Sequence, residues 1–246
     1  MLLLQKIWFL LKNEELRKIK VDQTKYRSAI GNLLYFSIRT RPDIIQPVSK
    51  ASQKSKDPNL EDWQNVLKII KYLNGTIKYG ITFSRNPNIS AFTDADYAGD
   101  IETRRSTTGF FILIGNSPTS WCSKLQHCIS TSTAESEYYS LSECCKDCMW
   151  YMNLLNELKF KIKNFEINID KKVAIYYVKN QSISLKTKHM NIRVHYIRKL
   201  IKNEKIKLNY VKLQYNLQDG FTKYFNNIAM DKFRNSLLIK IDNLRY

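Results

Sequence analysis

The hydrophobic pattern changes character near residue 88. Before it, Leu60, Trp63, Val66, Leu67, Ile70 and Leu73 recur at helical spacing on one face, and Gly75 follows as a stop signal. Beyond Asn86-Pro87-Asn88 the apolar segments shorten to strand length. Those at 89–93, 109–114 and 119–122 read as three strands, the last two joined by the turn Gly115-Asn116-Ser117-Pro118. Helical spacing returns over 134–158, with Tyr138, Leu141, Cys145, Cys148 and Met152 on one face. A continuous apolar run at 173–178 predicts a buried strand. A helix over 192–203, a strand over 205–212, a short helix around Asp219 and an amphipathic helix over 230–239 complete the chain. This order predicts an α/β fold: a five-stranded mixed sheet flanked by helices, preceded by a small helical module. The expected divisions are 1–85, 86–226 and a C-terminal helix and tail at 227–246.

Composition adds a partner. Forty Lys and Arg against 22 Asp and Glu give a net charge of +18, which points to a polyanion such as nucleic acid. A Lys-rich codon bias would produce the same excess, so the charge supports that partner without proving it. Apolar residues at 43% suffice for a core. The apolar openings at 1–4 and 7–11 are interrupted by Gln5-Lys6 and precede no small-residue cleavage site. They read as an amphipathic helix rather than a signal peptide, and no run is long enough to span a bilayer. No membrane partner and an intracellular, cytoplasmic location are therefore expected. Cys144-Cys145-x-x-Cys148 lacks a second Cys/His pair at zinc-finger spacing, so these thiols are expected to pack as small apolar groups. His189 and His195 are expected to pack as well.

The candidate chemistry lies in carboxylates far apart in sequence. Asp94 ends the strand in NISAFTDADYAGD, where α/β sheets place their ligands. Glu137 opens the helix in STSTAESEYYSLSECC, and Asp219 follows a strand in NYVKLQYNLQDGFTK. Gathered carboxylates repel one another unless cations neutralise them, and hard oxygen ligands suit Mg²⁺. Two such ions about 4 Å apart would clamp the attacking and leaving oxygens of a phosphodiester. Glu135 competes with Glu137, but Ser132-Thr133-Ala134-Glu135 fits a capping box in which the Glu reaches back to the N-cap amide. Asp96 and Asp100 fit turn-shaping roles, with Asp96 also able to assist a metal through water.

Six blocks in order make the pattern specific: YRSAIGNLLYFSIRTRPDI, WQNVLKIIKYLNGTIKYGI, FTDADYAGDIETRRSTTGFFILIG, SWCSKLQHCISTSTAESEYYSLSE, KNQSISLKTKHMNIRVHYIRKLI and QDGFTK. From about Tyr26 to about Leu238 they resemble the end of the Pol polyprotein of copia-type LTR retrotransposons. The resemblance implies the tail of a reverse transcriptase followed by a ribonuclease H-like domain. It implies four carboxylates, two Mg²⁺ ions, an RNA–DNA hybrid as substrate and the remaining parts of a reverse transcriptase as partners. The polymerase's YVDD word is absent, so no DNA synthesis is expected.

Carried over by motif, Asp94, Glu137 and Asp219 are the first, second and fourth carboxylates. The third belongs to a YCDNQSAI-like block. The sequence Tyr177-Val178-Lys179-Asn180-Gln181-Ser182-Ile183 fits that block with Lys179 at the ligand position. Asp170 precedes the run at 173–178, about 30 Å of extended chain from Lys179, which would leave it at the wrong end of the sheet. On this reading an ammonium replaces a metal ligand and cleavage is impaired. The alternative function is an inactive nucleic-acid-binding remnant. Gly220, inside the expected last helix, reads as a further departure at about 1 kcal/mol relative to Ala. Hybrid phosphates would meet Arg104, Arg105, Lys124, Lys188, Arg193 and Arg198, and the sugar edge Asn180 and Gln181. An integrase core would share this sheet, but the words around the four positions argue for the hybrid nuclease.

Overall fold

The computed structural model describes residues 21–83, 88–160, 162–171, 188–211, 217–223 and 225–241. It divides into two compact units: the chain up to Ile81 together with Leu238 onward, and Thr82–Leu237. Lys179, Asn180, Gln181 and the strand expected at 173–178 lie outside the described residues, as does the side chain of Lys188.

In the first unit, helix α1 (Gln23–Arg39) starts where the Asp22 carboxylate accepts from the Thr24 and Lys25 amides. A 3₁₀ turn, Pro42–Ile44, leads into α2 (Ile45–Gln53). Helix α3 (Leu60–Gly75) starts at a reciprocal capping box between Asn59 and Asp62. The three helices bury Tyr26, Ile30, Leu33, Ile44, Val48, Val66, Ile70 and Leu73 in one core. The apolar stripe on α3 is rotated from the expected one. Leu60, the first helical residue, stays exposed, and Ile69 is buried in its place. Strand β1 (Tyr79–Gly80) pairs antiparallel with β7 (Ile239–Lys240) in a short ribbon.

The second unit is built on a five-stranded sheet in the order β4-β3-β2-β5-β6. Strand β2 (Ile89–Asp96) runs antiparallel to β3 (Thr107–Ile114), which pairs antiparallel with β4 (Ser117–Leu125). Strand β5 (Phe165–Ile169) runs parallel to β2, and β6 (Ile206–Tyr210) parallel to β5. Helices α4 (Thr133–Glu157) and α5 (Lys188–Lys202) contribute to the principal core. Tyr138, Leu141, Cys144, Cys145, Cys148 and Met152 meet Ala91, Ile112, Phe165, Ile167 and Ile197 there. The three thiols thus pack as small apolar groups. The remaining elements are a 3₁₀ turn, Leu217–Phe221, and helix α6 (Asn227–Leu237). The expected α/β class and mixed sheet are present, and this strand order is that of a ribonuclease H-like fold.

Four local expectations are corrected. The β3–β4 turn is tighter than expected, with only Gly115 and Asn116 between the strands and Gly115 at φ 65°. Pro118 falls inside β4, which tolerates it as an edge strand. The strand beside β2 is Phe165–Ile169, a segment not foreseen as a strand. Its signal is a plain alternation, with Phe165, Ile167 and Ile169 buried. Gly220 is a packing requirement rather than a defect: a Cβ there would come within 2.6 Å of the Phe233 ring. His195 is exposed rather than packed.

Candidate active site

Register explains how the acids meet. β2 and β5 pair in parallel with Ser90 beside Glu166, Ala91 beside Ile167 and Phe92 beside Asn168. Continuing two residues sets Asp170 level with Asp94, on the same face because side chains alternate with period two. The objection that Asp170 lies at the wrong end of the sheet is therefore overturned. That placement assumed the strand began after Asp170, whereas β5 ends immediately before it.

Asp219 reaches the same place through an aromatic ladder. Phe92 stacks on Phe111 at 4.7 Å, Phe111 on Phe221 at 5.1 Å, and Phe221 meets Phe233 edge-on at 5.2 Å. The ladder seats the 3₁₀ turn against the sheet. Gly109, paired with Asp94 across β2 and β3, makes room for the seat. A Cβ there would come within 2.5 Å of the Thr222 methyl. One carboxylate oxygen from each of Asp94, Asp170 and Asp219 lies within 4.8 Å of the others.

Asp94 is fully buried. Its Oδ2 accepts a 2.6 Å hydrogen bond from Thr222 Oγ1. Its Oδ1 is buried with no hydrogen-bond partner among the described residues. Ser140 on α4 donates to the Asp94 carbonyl at 2.6 Å, tying helix to strand. Lys223 Nζ sits 2.7 Å from Asp219 Oδ1 and 4.0 Å from Asp94 Oδ2.

Glu137 projects from the start of α4 and is 2% exposed. It pairs with Lys171, the residue after Asp170. Burial, with the Asp94 charge adding to it, pushes the Glu137 carboxyl up to about 8, against the opposing pull of Lys171. Burial and then Asp94 also raise Asp170. Burial works against the charged form of Lys171, but Glu137's charge and hydrogen bond outweigh it and hold the ammonium above the ordinary lysine range. Lys223 is raised in the same sense by Asp219 and Asp94. Glu135 is engaged elsewhere: its Oε2 accepts from the Thr131 amide at 2.6 Å and the Thr131 hydroxyl at 2.8 Å. It caps one residue further back than expected, while Ser132 caps the Glu135 amide. Asp100 shapes its turn by accepting from the Thr103 amide at 2.9 Å.

The basic candidates divide. Arg104, in a left-handed backbone at φ 55°, and Arg105 precede β3, and Lys124 lies opposite Thr108 near the end of β4. All three belong to the end of the sheet that carries Asp94. Arg193 is held between helices: it donates to Glu143 Oε1 at 2.8 Å and lies 3.9 Å over the Tyr139 ring. Arg198 is half-buried on α5. Thr222, Lys171 and Lys223 were not foreseen as site residues. The TK that follows Phe221 in the last matched block was the available signal for two of them.

A buried carboxylate oxygen without a donor, among other hard oxygen ligands, fits a divalent cation such as Mg²⁺. Fold and acidic cluster together define a ribonuclease H-like domain. A scan against protein-family models finds no match. The chain is 37% identical over 207 residues to the retrovirus-related Pol polyprotein from transposon TNT 1-94 of Nicotiana tabacum, covering 84% of this chain and 16% of that protein. It is 31% identical over 224 residues to the Pol polyprotein from transposon RE2 of Arabidopsis thaliana, covering 89% and 15% respectively. The chain belongs to the Pol polyproteins of copia-type retrotransposons. It spans 15–16% of the length of these two relatives. Among solved structures, LC11-RNase H1 in complex with an RNA/DNA hybrid is similar with a TM-score of 0.43 and 14% identity, over 59% of this chain and 98% of that one. Among the described residues no helix is long and apolar enough to cross a membrane.

Proposed function

We propose that the second unit is a nuclease that hydrolyses the RNA strand of RNA–DNA hybrids with two Mg²⁺ ions, and that Asp94, Glu137, Asp170 and Asp219 are its metal-ligating carboxylates. The observation that carries this reading is the convergence of three aspartate oxygens within 4.8 Å, with Glu137 buried beside them. Asp170 takes the third position in place of Lys179. The family word is divided between two places: Asp170-Lys171-Lys172-Val173-Ala174-Ile175 keeps the Asp and the Ala-Ile of a YCDNQSAI-like block, whereas Tyr177 to Ser182 keeps the Tyr and the Asn-Gln-Ser and holds Lys179 where the acid would stand.

The ions, when bound, supply a water of lowered pKa and positive charge on the phosphate oxygens. The chain's own part is orientation. Thr222 fixes the Asp94 carboxylate through Oδ2 and leaves Oδ1 to coordinate. Ser140 holds Asp94's strand against the helix that carries Glu137. Arg104, Arg105 and Lys124 position hybrid phosphates, with Asn180, Gln181, Lys188 and Arg198 as further contacts. Remaining Pol segments supply the polymerase with which such a domain works.

The test is cleavage of a labelled RNA–DNA hybrid with Mg²⁺ or Mn²⁺ by the parent, Asp170→Asn and Lys179→Asp. The parent is expected to cut and Lys179→Asp to match it. Asp170→Asn should lose about a thousand-fold, the scale of removing a principal electrostatic group from an active site. A silent parent rescued by Lys179→Asp would instead identify a remnant disabled at Lys179.

A further inference from the structure

Two ammonium groups reach different carboxylates of the cluster. Lys171 donates to Glu137 Oε1, and Lys223 lies 2.7 Å from Asp219 Oδ1 and 4.0 Å from Asp94 Oδ2. Both are placed by their neighbours: Lys171 directly follows Asp170, and Lys223 follows Asp219 at the i,i+4 spacing. Each is partly exposed, at 34% and 45%, while Glu137 and Asp94 are buried. The ammonium stems therefore have solvent to swing into, and the carboxylates do not.

We propose that Lys171 and Lys223 are built-in competitors for the carboxylate cluster, which set how tightly it holds divalent cations. The inference rests on the nuclease reading above. A carboxylate oxygen that accepts an ammonium hydrogen bond is not free to coordinate, and an ammonium within a few ångströms repels a divalent ion. Binding must displace both lysines into solvent. Lys171 weakens binding on the Glu137 flank, and Lys223 on the Asp219 flank. In the absence of divalent ions the same two charges offset the mutual repulsion of four carboxylates. The lysines thus trade cation affinity for a fold that does not depend on the cation. They are positioning residues, acting through the carboxylates.

The 246-residue chain, treated with chelator, is titrated with Mn²⁺ and followed by electron paramagnetic resonance. The parent is compared with Lys171→Met, Lys223→Met, Lys171→Arg and Lys223→Arg, and each protein is melted with and without Mn²⁺. Each Met variant is expected to bind about tenfold more tightly, to melt lower in chelator and to gain more on Mn²⁺ addition. The Arg variants, which keep the charge, should stay within about twofold of the parent. A Met variant that folds only when Mn²⁺ is added also supports the competition. Unchanged or weaker binding by the Met variants overturns it, as does equal tightening by the Arg variants. A Met variant unfolded under both conditions overturns it too, by making the lysine a structural residue. Parent binding with no change in the variants defeats this inference alone. No binding by parent or variants defeats the nuclease reading with it.

Discussion

Arg41 and Asp43 in the first unit and Asp94 in the second are buried to similar depth, yet their surroundings differ in kind. Arg41 Nε and Nη2 donate to the two Asp43 oxygens at 2.9 and 2.7 Å. Thr76 takes the other guanidinium contacts, through its hydroxyl at 2.7 Å and its carbonyl at 3.3 Å. Tyr72 adds a 2.7 Å donor to Asp43 Oδ2. That group is closed, with donors and acceptors matched inside the protein. Asp94 has one donor, an unmatched oxygen, and like charges for neighbours. Folding alone explains the first arrangement. The second is the arrangement that the proposed cation site requires. Depth of burial therefore does not distinguish a structural carboxylate from a functional one. The matching of its atoms does.

The contrast can be broken from either side. The largest effect on stability is expected from Asp43→Asn, which leaves a buried guanidinium without its partner and should destabilise the first unit by about 3–5 kcal/mol in urea unfolding. Asp94→Asn should do the reverse. In chelator it removes a repelling charge from Glu137 and Asp170 and should stabilise the second unit by about 1 kcal/mol, the scale of one pKa unit. It should also abolish the Mg²⁺-induced rise in melting temperature. A loss of stability in chelator would show Asp94 to be structural. A pH dependence sharpens the same contrast. The Glu137 carboxyl is raised from 4.5 to about 8, so the folded state favours its neutral form. The associated stability is present below the unfolded value and is lost as pH rises from about 4.5 through about 8. Melting in chelator should therefore fall across that window, and Mg²⁺ should restore more at pH 8 than at pH 6. A flat profile would refute the coupling.

Much of this was legible in the sequence where one signal dominated. The β3–β4 hairpin and the long helix α4 follow from unbroken patterns, and Asp94, Glu137 and Asp219 from words around them. The position of Asp170 was hidden in the sequence for a physical reason. The run at 173–178 is continuous and apolar, the mark of a strand buried on both faces, and it outweighed the quieter alternation of Phe165, Ile167 and Ile169. Shifting the strand moved its C-terminal end, and with it the expected ligand, by nine residues. Lys171 carried no signal in the sequence, and the only one for Thr222 and Lys223 was the TK of the last matched block. Their roles depend on which carboxylate lies opposite, and tertiary register alone decides that. Gly220 carried a helix penalty in one dimension and a ring contact in three.

The ribbon of β1 and β7 has a bearing on how the chain assembles. Its strands, Tyr79–Gly80 and Ile239–Lys240, stand on either side of the whole second unit in sequence. Closing an unfolded loop of that length is entropically opposed, with an opposition that grows as the logarithm of loop length, and a two-residue ribbon offers few contacts in return. Once the intervening residues have collapsed to a native fold, the span to be closed is far shorter. The ribbon is therefore expected to close late in folding and to open early in unfolding. The Ile241 amide, which donates to the Lys78 carbonyl at 2.8 Å, should exchange its proton ahead of the β2 and β5 amides.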